Sequence, residues 1–411
     1  MLAFQGYKLT KWIYFLFLLA PLAHSKPVTA LHWWTSNSEQ AAEAVLVEAF
    51  AERGFDWQPV AVSGGAGEGA LKVLRAKVLS GESPDIAQVV GPSIRDWAKL
   101  GFFHTQAKSS EYNAWPRALA AQVLPLVSLD GEPFAIPTSI HRINTLVYNQ
   151  ALFEQLNITP AETWQGFIEQ LEQIQAAGVT PLAQSSQPWQ LATLFEVIMA
   201  ATLDTSQYLA VMQGFDANVI LGSDMRLVFE RFRQLQPFIS NEATRDWQHH
   251  SQAIAEGKAA MQVMGDWAKA ELALQPTSSN FALGCSTFLQ SSKHVYSVDS
   301  FVIFNHVADD VAREISLLLS DPNVQARFSS AKGTIPARSD VPVDYDDCSA
   351  QSFEDFHSGD ALPSMVHRAA NNEEARNVFI HVVDRFYSDR KQTPEQAQQR
   401  LANELAALLS Q

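Results

Sequence analysis

Apolar positions follow two different periods near the start of the chain. From Val28 to Trp34 nearly every side chain is apolar, aromatic or β-branched, which is typical of a buried strand. Residues 39–53 then place apolar side chains at helical spacing, so a helix is predicted there, with Ser38 as its N-cap and Gly54 at its end. The apolar face of this helix consists of Ala42, Val45, Leu46, Ala49 and Phe50.

The same alternation of strand and helix continues to residue 90. A second strand is predicted over 57–62 and a third over 86–90, because both runs are short, apolar and bounded by turn residues. Between them a helix is predicted over 70–80, ending at Gly81. Strand, helix, strand, helix, strand is the pattern of a parallel sheet with crossover helices. Such sheets bind ligands at the carboxyl ends of their strands.

The rest of the chain is mostly helical by the same criterion. Helices are predicted over 161–177, 188–203, 224–235 and 243–256. A strand follows over 295–304, and the last helical segments are 309–320, 322–330 and 372–410. This order indicates an α/β protein with two lobes, between which the chain crosses several times.

The composition is that of a folded, acidic protein. The chain has 411 residues, 47% hydrophobic and 18% charged, with a formal charge of −15. This length fits two domains better than one, because single cores rarely grow beyond about 250–300 residues. No run of five or six like charges is present to grip a phosphate backbone, so nucleic acid is not an expected partner.

Residues 1–25 are predicted to be a secretory signal peptide. Lys8 and Lys11 precede an apolar run over 12–20, and the segment ends at Ser25 in a small-x-small cleavage pattern. The apolar run is too short for a membrane span, which needs about 20 residues. We therefore predict cleavage after Ser25 and a soluble, periplasmic mature protein.

The chain has two cysteines, Cys285 and Cys348. Export to an oxidising compartment favours a disulfide between them, which would stabilise the fold by about 2–4 kcal/mol. The alternative is a pair of separately buried free thiols.

Motifs for catalysis, metals and cofactors are weak, and none of these is predicted. The glycine-rich run 64–69 lacks the dinucleotide spacing, and no Lys-Ser/Thr pair follows it to hold phosphate. His249 and His250 are adjacent, so on a helix they face different ways, whereas metal ligands there need a spacing of four. The nucleophile motif Gly-x-Ser-x-Gly is absent from the sequence.

Tryptophan usage is more informative. Several of the ten tryptophans are flanked by polar or charged residues, namely Trp33, Trp34, Trp189, Trp247 and Trp267. Indole rings pack on the apolar face of a sugar, while charged side chains hydrogen-bond its hydroxyls. The alternative for each tryptophan is a place in the core. Trp33 and Trp34 point to opposite sides of a strand, so at most one of them can stack well on a single ligand.

A series of motifs in a specific order resembles the sugar-binding subunits of ABC importers, and most closely their glucose- or mannose-binding group. The motifs are Leu31-His32-Trp33-Trp34-Thr35-Ser36-x-x-Glu39, Gly64-Gly65-x-Gly67, Pro84-Asp85-x-x-Gln88, Gly91-Pro92, Gly257-Lys258-Ala259-Ala260-Met261-x-x-Met264-Gly265-Asp266-Trp267, Val298-Asp299-Ser300-Phe301 and Lys332-Gly333-x-Ile335-Pro336. The resemblance extends through essentially the whole mature chain.

This resemblance implies a two-lobed, type II-like periplasmic binding protein fold, with a mixed sheet flanked by helices in each lobe and a hinge between. The first lobe would comprise 26–137 and about 295–340, and the second 138–294 and about 341–411. The protein would be a monomer that closes on a monosaccharide and presents it to the ABC permease subunits in the inner membrane.

The resemblance also implies a set of ligand-binding residues. Trp34 and Trp267 would stack on the sugar or wall it, with Trp33 beside them. Glu39 and Asp299 would accept hydroxyl protons, and Lys332 would donate. His367 would complete the far wall, while the second-rank candidates are Gln88, His141 and Trp189.

Some of these residues have structural alternatives. Asp299 and Lys332 could form a salt bridge without function, and Glu39 could serve only the first turn of its helix. His367 could lie at a helix end on the surface. Asp266 is expected to position Trp267 or a loop rather than to touch sugar.

The chain departs from the family at two places. Val90 stands where the family commonly has a lysine, so one cationic hydroxyl donor is missing, and the stretch after Cys285 lacks the family's prolines. Both departures affect the identity of the ligand more than the fold. Alternative functions are a sugar-responsive sensor, a secreted carbohydrate-active enzyme, and an importer subunit for polyamines or amino acids.

Overall fold

The computed structural model describes residues 25–64, 67–106, 115–240, 246–341 and 344–409. The predicted signal peptide lies outside the described residues except for Ser25. In the described ranges, no helix combines the length and the apolar character needed to cross a membrane.

Strands and helices both occur along the described chain, and they alternate over its first hundred residues. The strands are Lys26–His32 (β1), Phe55–Ala61 (β2), Ile86–Gln88 (β3), Ser128–Leu129 (β4), Glu132–Pro133 (β5), Ala135–Arg142 (β6), Thr145–Asn149 (β7), Thr180–Leu182 (β8), Ala259–Met264 (β9), Leu283–Thr287 (β10), His294–Ile303 (β11), Ile335–Pro336 (β12) and Ala361–Pro363 (β13).

The helices account for most of the remaining structure. They are Asn37–Glu52 (α1), Glu68–Leu79 (α2), Ser93–Lys99 (α3), Leu124–Val127 (α4), Gln150–Leu156 (α5), Trp164–Ala176 (α6), Pro188–Thr202 (α7), Thr205–Met212 (α8), Ala217–Ile220 (α9), Ser223–Leu235 (α10), Trp247–Ala255 (α11), Trp267–Ala273 (α12), Asp309–Leu319 (α13), Pro322–Lys332 (α14), Asp347–Ser358 (α15), Glu373–Ser388 (α16) and Pro394–Leu408 (α17).

The first lobe is built on a mixed sheet with the strand order β12-β6-β11-β3-β1-β2, in which β13 also pairs with β11. Strands β2, β1 and β3 are parallel, as the pattern of the first ninety residues predicts. Strand β11 runs antiparallel to both β3 and β6. The residues that follow the carboxyl ends of the parallel strands therefore lie at the same end of the sheet as the first half of β11.

The second lobe is built on a smaller mixed sheet with the order β10-β7-β9-β8. Its core gathers apolar side chains from α6, α7, α10, α16 and α17. Residues 190–200 of α7 are all buried, so this helix is the central support of the lobe.

The chain passes between the two sheets next to the cleft. It leaves the first sheet at the end of β6, at Arg142, and enters the second sheet at Thr145. It returns between β10 and β11. The predicted border at residue 137 falls inside β6, and β13 pairs in the first sheet although it was expected in the second lobe. The chain crosses to the second lobe again between β13 and α16. We propose that residues 143–144, 288–293 and 364–372 form the hinge.

Helix ends differ from the prediction where several polar residues could serve as caps. Ser36, not Ser38, is the N-cap of α1, and its side chain accepts a hydrogen bond from the N–H of Glu39. The segment 372–410, predicted as one helical region, contains α16 and α17 separated by a break after Ser388.

Candidate functional site

A cavity of about 230 Å³ lies between the lobes. It is lined by residues from both lobes, which the chain brings together from positions more than 300 residues apart. Of the predicted ligand-binding residues, those that line it are Trp33, Glu39, His141, Trp189, Trp267, Asp299, Lys332 and His367.

Asp299 is the centre of the polar wall. It lies on β11 and is buried. Its Oδ1 accepts a hydrogen bond from Nε2 of Gln88 at 2.8 Å, and its Oδ2 contacts Nε2 of His141 at 3.2 Å. The same Oδ2 accepts from Nζ of Lys332. Burial on its own would raise the pKa of Asp299, but Lys332 and His141 outweigh it and hold that pKa well below its ordinary value.

His141 extends this arrangement towards the second lobe. Its Nδ1 lies 2.5 Å from Oδ1 of Asp266, whose Oδ2 accepts from the N–H of Arg142 at 2.8 Å. Burial lowers the pKa of His141, but the carboxylates of Asp266 and Asp299 outweigh it and raise the pKa to about 9. At neutral pH the ring is therefore a cation that donates from both nitrogens. Charges alternate from Lys332 through Asp299 and His141 to Asp266.

Lys332 ends α14 and is almost completely buried. Its Nζ lies 4.2 Å from the ring centroid of Trp34, a distance at which a cation is attracted to the indole face. Trp34 is only 1% exposed and packs against Phe301 and Phe328 at ring distances of 5.5 and 5.3 Å. The assignment of a sugar-stacking role to Trp34 is therefore corrected, because this ring lies beneath Lys332 in the core of the first lobe.

Trp33 is the tryptophan of this pair that faces the cavity. A Cβ at Gly67 would lie 2.9 Å from its ring, so glycine is needed there, and Gly67 also has a φ of +77°. The N–H of Trp33 donates to Oε1 of Gln88 at 3.4 Å. Gln88 is buried and does not line the cavity. It joins the backbone of Trp33 to the carboxylate of Asp299, which makes it a positioning residue.

Aromatic rings form the wall contributed by the second lobe. The Trp267 ring lies 5.2 Å from that of His141 and 5.2 Å from that of His367. His367 in turn lies 6.1 Å from Trp189, nearly perpendicular to it. Trp267 begins α12, and a Cβ at Gly265 would lie 2.1 Å from its ring. The absence of a side chain at Gly265, two residues before Trp267, therefore makes room for the indole.

Glu39 has both a structural contact and a free oxygen. Its Oε2 accepts from the N–H groups of Thr35 and Ser36, each at 2.9 Å, in the capping box of α1. Within the described residues its Oε1 has no hydrogen-bond partner. Glu39 can thus cap the helix and accept from a ligand at the same time.

The comparison with known families agrees with this architecture. The family model for bacterial extracellular solute-binding proteins matches residues 45–351. The chain belongs to this family. A probable sugar-binding periplasmic protein of Rhizobium meliloti (strain 1021) is similar to this solute-binding protein, with 31% identity over 370 residues that cover 88% of this chain and 89% of the relative.

Solved structures confirm the two-lobed α/β fold of this solute-binding protein. The bacterial solute receptor AcbH matches it with a TM-score of 0.79 at 15% identity, covering 93% of this chain and 99% of AcbH. The solute-binding protein RafE in complex with raffinose matches with a TM-score of 0.71 at 18% identity, covering 92% of this chain and 99% of RafE.

Further residues line the cavity of the solute-binding protein that were not in the ligand-binding set implied by the resemblance. They include Val90, Asp246, Trp247, Ser297 and Arg368. Trp247 carries the same sequence signal as the predicted tryptophans, a polar flank, and could have been included. Arg368 has no such signal, because its place depends on the loop after β13.

We expect the free energy of unfolding of this solute-binding protein to fall as pH rises from about 6.5 to about 9. The folded protein keeps a proton on His141 that the unfolded chain releases near pH 6.5. The stabilisation is therefore complete below pH 6.5 and is lost as pH rises through 9. Urea unfolding across this range should show a steeper decline in the wild type than in His141→Gln. Equal declines would contradict the assigned charge.

Proposed function

We propose that this protein captures one monosaccharide of the glucose or mannose type and delivers it, chemically unchanged, to an ABC permease. The observation that carries the proposal is the buried Asp299–Lys332 pair, which faces the same cavity as the indoles of Trp33 and Trp267. These side chains come from different lobes, so a ligand that contacts all of them joins the lobes.

The chemistry of this cavity suits a neutral polyol. Asp299 is ionised and can accept hydroxyl protons, while Lys332 is a donor. Because Asp299 lies between two cations, the buried charges are paired before the ligand arrives. The indoles can pack on the apolar C–H face of a pyranose.

The size of the cavity supports a single sugar ring. Its volume of about 230 Å³ is below the range of about 300–1,000 Å³ that is usual for drug-sized ligands. AcbH, described as having an exclusive preference for β-D-galactopyranose, offers a parallel among monosaccharide binders. RafE, which was solved with raffinose, has a similar fold with a larger ligand. Fold alone therefore does not determine the length of the sugar.

Closure of the lobes would complete the site. Glu271 of α12 accepts from the side chain of Asn37 at 2.7 Å and from the N–H of Ser38 at 2.9 Å, so the lobes meet at the start of α1. A sugar between Trp33 and Trp267 would add contacts that exist only when both walls approach, and this would favour the closed form.

Delivery to a permease from the periplasm is part of the same proposal. The predicted signal peptide supports export, and the relative in Rhizobium meliloti is named a periplasmic protein. The closed form would be the one that the membrane subunits bind.

Calorimetric titration tests the proposed ligand class. Protein that has been unfolded, dialysed free of ligand and refolded should bind glucose, mannose or galactose with saturation at one sugar per chain. The proposal would be wrong if none of these sugars produced a heat of binding and an oligosaccharide, polyamine or amino acid bound with saturation.

Replacing Trp267 by Ala should weaken sugar binding by at least about 2 kcal/mol, roughly thirtyfold in the dissociation constant, because a stacking wall is lost. Trp164→Ala is the matched control, since Trp164 lies in the same lobe, packs against Phe167 at 6.0 Å and does not line the cavity. Equal dissociation constants for the wild type and Trp267→Ala would refute the stacking role.

A further inference from the structure

Helix α7 carries three side chains that help to position His367, which forms part of the cavity wall. Trp189, in its first turn, lines the cavity. Thr193 and Glu196 follow on the next turns, and both are fully buried. Neither is among the residues that the motifs identify, and neither lines the cavity.

Glu196 holds the loop that presents His367. Its Oε2 accepts from the hydroxyl of Ser364 at 2.6 Å, and its Oε1 accepts from the N–H of Met365 at 2.6 Å. The hydroxyl of Tyr208 lies 3.2 Å from Oε1 and equally far from the carbonyl oxygen of Pro363. Oγ of Ser364 then accepts from the N–H of His367 at 2.9 Å. A buried carboxylate thus sets the course of the backbone at His367 through one intermediate hydroxyl.

Thr193 contacts one ring nitrogen of His367. The hydroxyl of Thr193 donates its single proton to the carbonyl of Trp189 at 2.9 Å. With that proton on the carbonyl of Trp189, the 3.0 Å contact between this hydroxyl and Nε2 of His367 is one in which the ring nitrogen donates. Burial, with Arg376 nearby, holds the pKa of His367 well below its usual value, so the ring is neutral. Its Nδ1 is then an unprotonated acceptor.

We propose that Thr193 and Glu196 are positioning residues that hold His367 as a fixed hydrogen-bond acceptor for a ligand hydroxyl. The inference rests on the proposed function, because it assigns His367 a place in the sugar site. Asp299 and His367 would then accept from hydroxyls on two sides of the ring, while Lys332 donates.

The first experiment reads the tautomer directly. Protein labelled with ¹⁵N-histidine and free of sugar is examined by NMR, with the His367 signals assigned from their loss in His367→Ala. We expect the shifts of a neutral ring protonated at Nε2, and a mixture of tautomers in Thr193→Val. A ring protonated at Nδ1 in the wild type would overturn the inference, whether or not the protein binds sugar.

The second experiment measures sugar affinity at pH 8, where Glu196, whose pKa burial raises to about 7, is mostly ionised. Thr193→Val and Glu196→Gln should each weaken binding about three- to tenfold, the range for loss of one hydrogen bond. Thr193→Ser keeps the hydroxyl and should bind like the wild type.

The same changes in the His367→Ala background separate positioning from general loosening of the fold. If Thr193 and Glu196 act through His367, neither substitution weakens binding further in that background. Equal losses with and without His367 would overturn the inference. A wild-type protein that binds no sugar would instead refute the proposed function, while the tautomer measurement would still decide the state of His367.

Discussion

Replacing Asp299 by Asn should weaken sugar binding by about 2–5 kcal/mol, which is about thirtyfold to several thousandfold in the dissociation constant. The amide is nearly the same size, but it cannot balance the two cations that contact Oδ2, Lys332 and His141. Its NH₂ group would also face a donor, whichever way it turned. The loss should be measured by calorimetry with the sugar that the wild type binds best.

Glu43→Gln is the matched control for this change. Glu43 is also a carboxylate of the first lobe paired with a buried histidine, since its Oε1 lies 3.0 Å from Nε2 of His32 and accepts from Nε1 of Trp57 at 2.8 Å. It does not line the cavity. Both variants should unfold at lower urea concentrations, but only Asp299→Asn should lose affinity. If the dissociation constant of the Asp299→Asn protein for sugar lies within threefold of the wild-type value, Asp299 serves only as a partner in a structural ion pair.

Replacing both cysteines by serine should lower the free energy of unfolding by about 2–4 kcal/mol. Cys285 of β10 and Cys348 of α15 form a disulfide that closes a loop of 63 residues, with their Cα atoms 6.2 Å apart. Removing the bond lets the unfolded chain gain freedom in that loop, which favours the unfolded state. Urea unfolding of the wild type and of the double variant, Cys285→Ser with Cys348→Ser, measures the difference.

Reduction provides the control for the cysteine substitutions. A reductant should shift the unfolding midpoint of the wild type towards that of the double variant and leave the variant unchanged. Neither cysteine lines the cavity between the lobes, so the dissociation constant for sugar should stay the same. Coinciding midpoints for the oxidised wild type and the double variant would show that the bond does not stabilise the fold.

The first ninety residues could be interpreted from sequence because their periods are unambiguous. β1, α1, β2 and α2 each occupy a run long enough for the period to be seen, with glycine or a polar cluster at its ends. β3 has only three residues, and the turn residues before it made it recognisable. The resemblance implied a sheet in the second lobe, but the residue pattern did not identify its strands. β9, with the sequence Ala-Ala-Met-Gln-Val-Met, is buried at every position, so it has no alternation of faces, and its residues are also good helix formers. Only its place between β7 and β8 makes it a strand.

The ligand site depends on contacts that no local pattern contains. Strand alternation indicates that Trp33 and Trp34 face opposite ways, but which of them faces the cavity depends on α14. The helix brings Lys332 and Phe328 over Trp34, and the ring is buried for that reason. The convergence of Asp299, Lys332 and Trp267 was expected from the resemblance to a family.

The residues that position His367 could not be predicted from the sequence. Thr193 and Glu196 stand among apolar residues of a buried helix and match no motif. Their proposed role depends on their hydrogen bonds to the loop that carries His367, and those contacts are visible only in the structure.

The crystal structure of the protein with the sugar it binds best is the most direct test of the central claim. We predict one pyranose ring in the cavity, with an indole of Trp33 or Trp267 on its C–H face and hydroxyls within about 3 Å of Asp299 and Lys332. A sugar bound outside the cleft, or one in the cleft that leaves Asp299, Lys332 and both indoles without contact, would contradict the account.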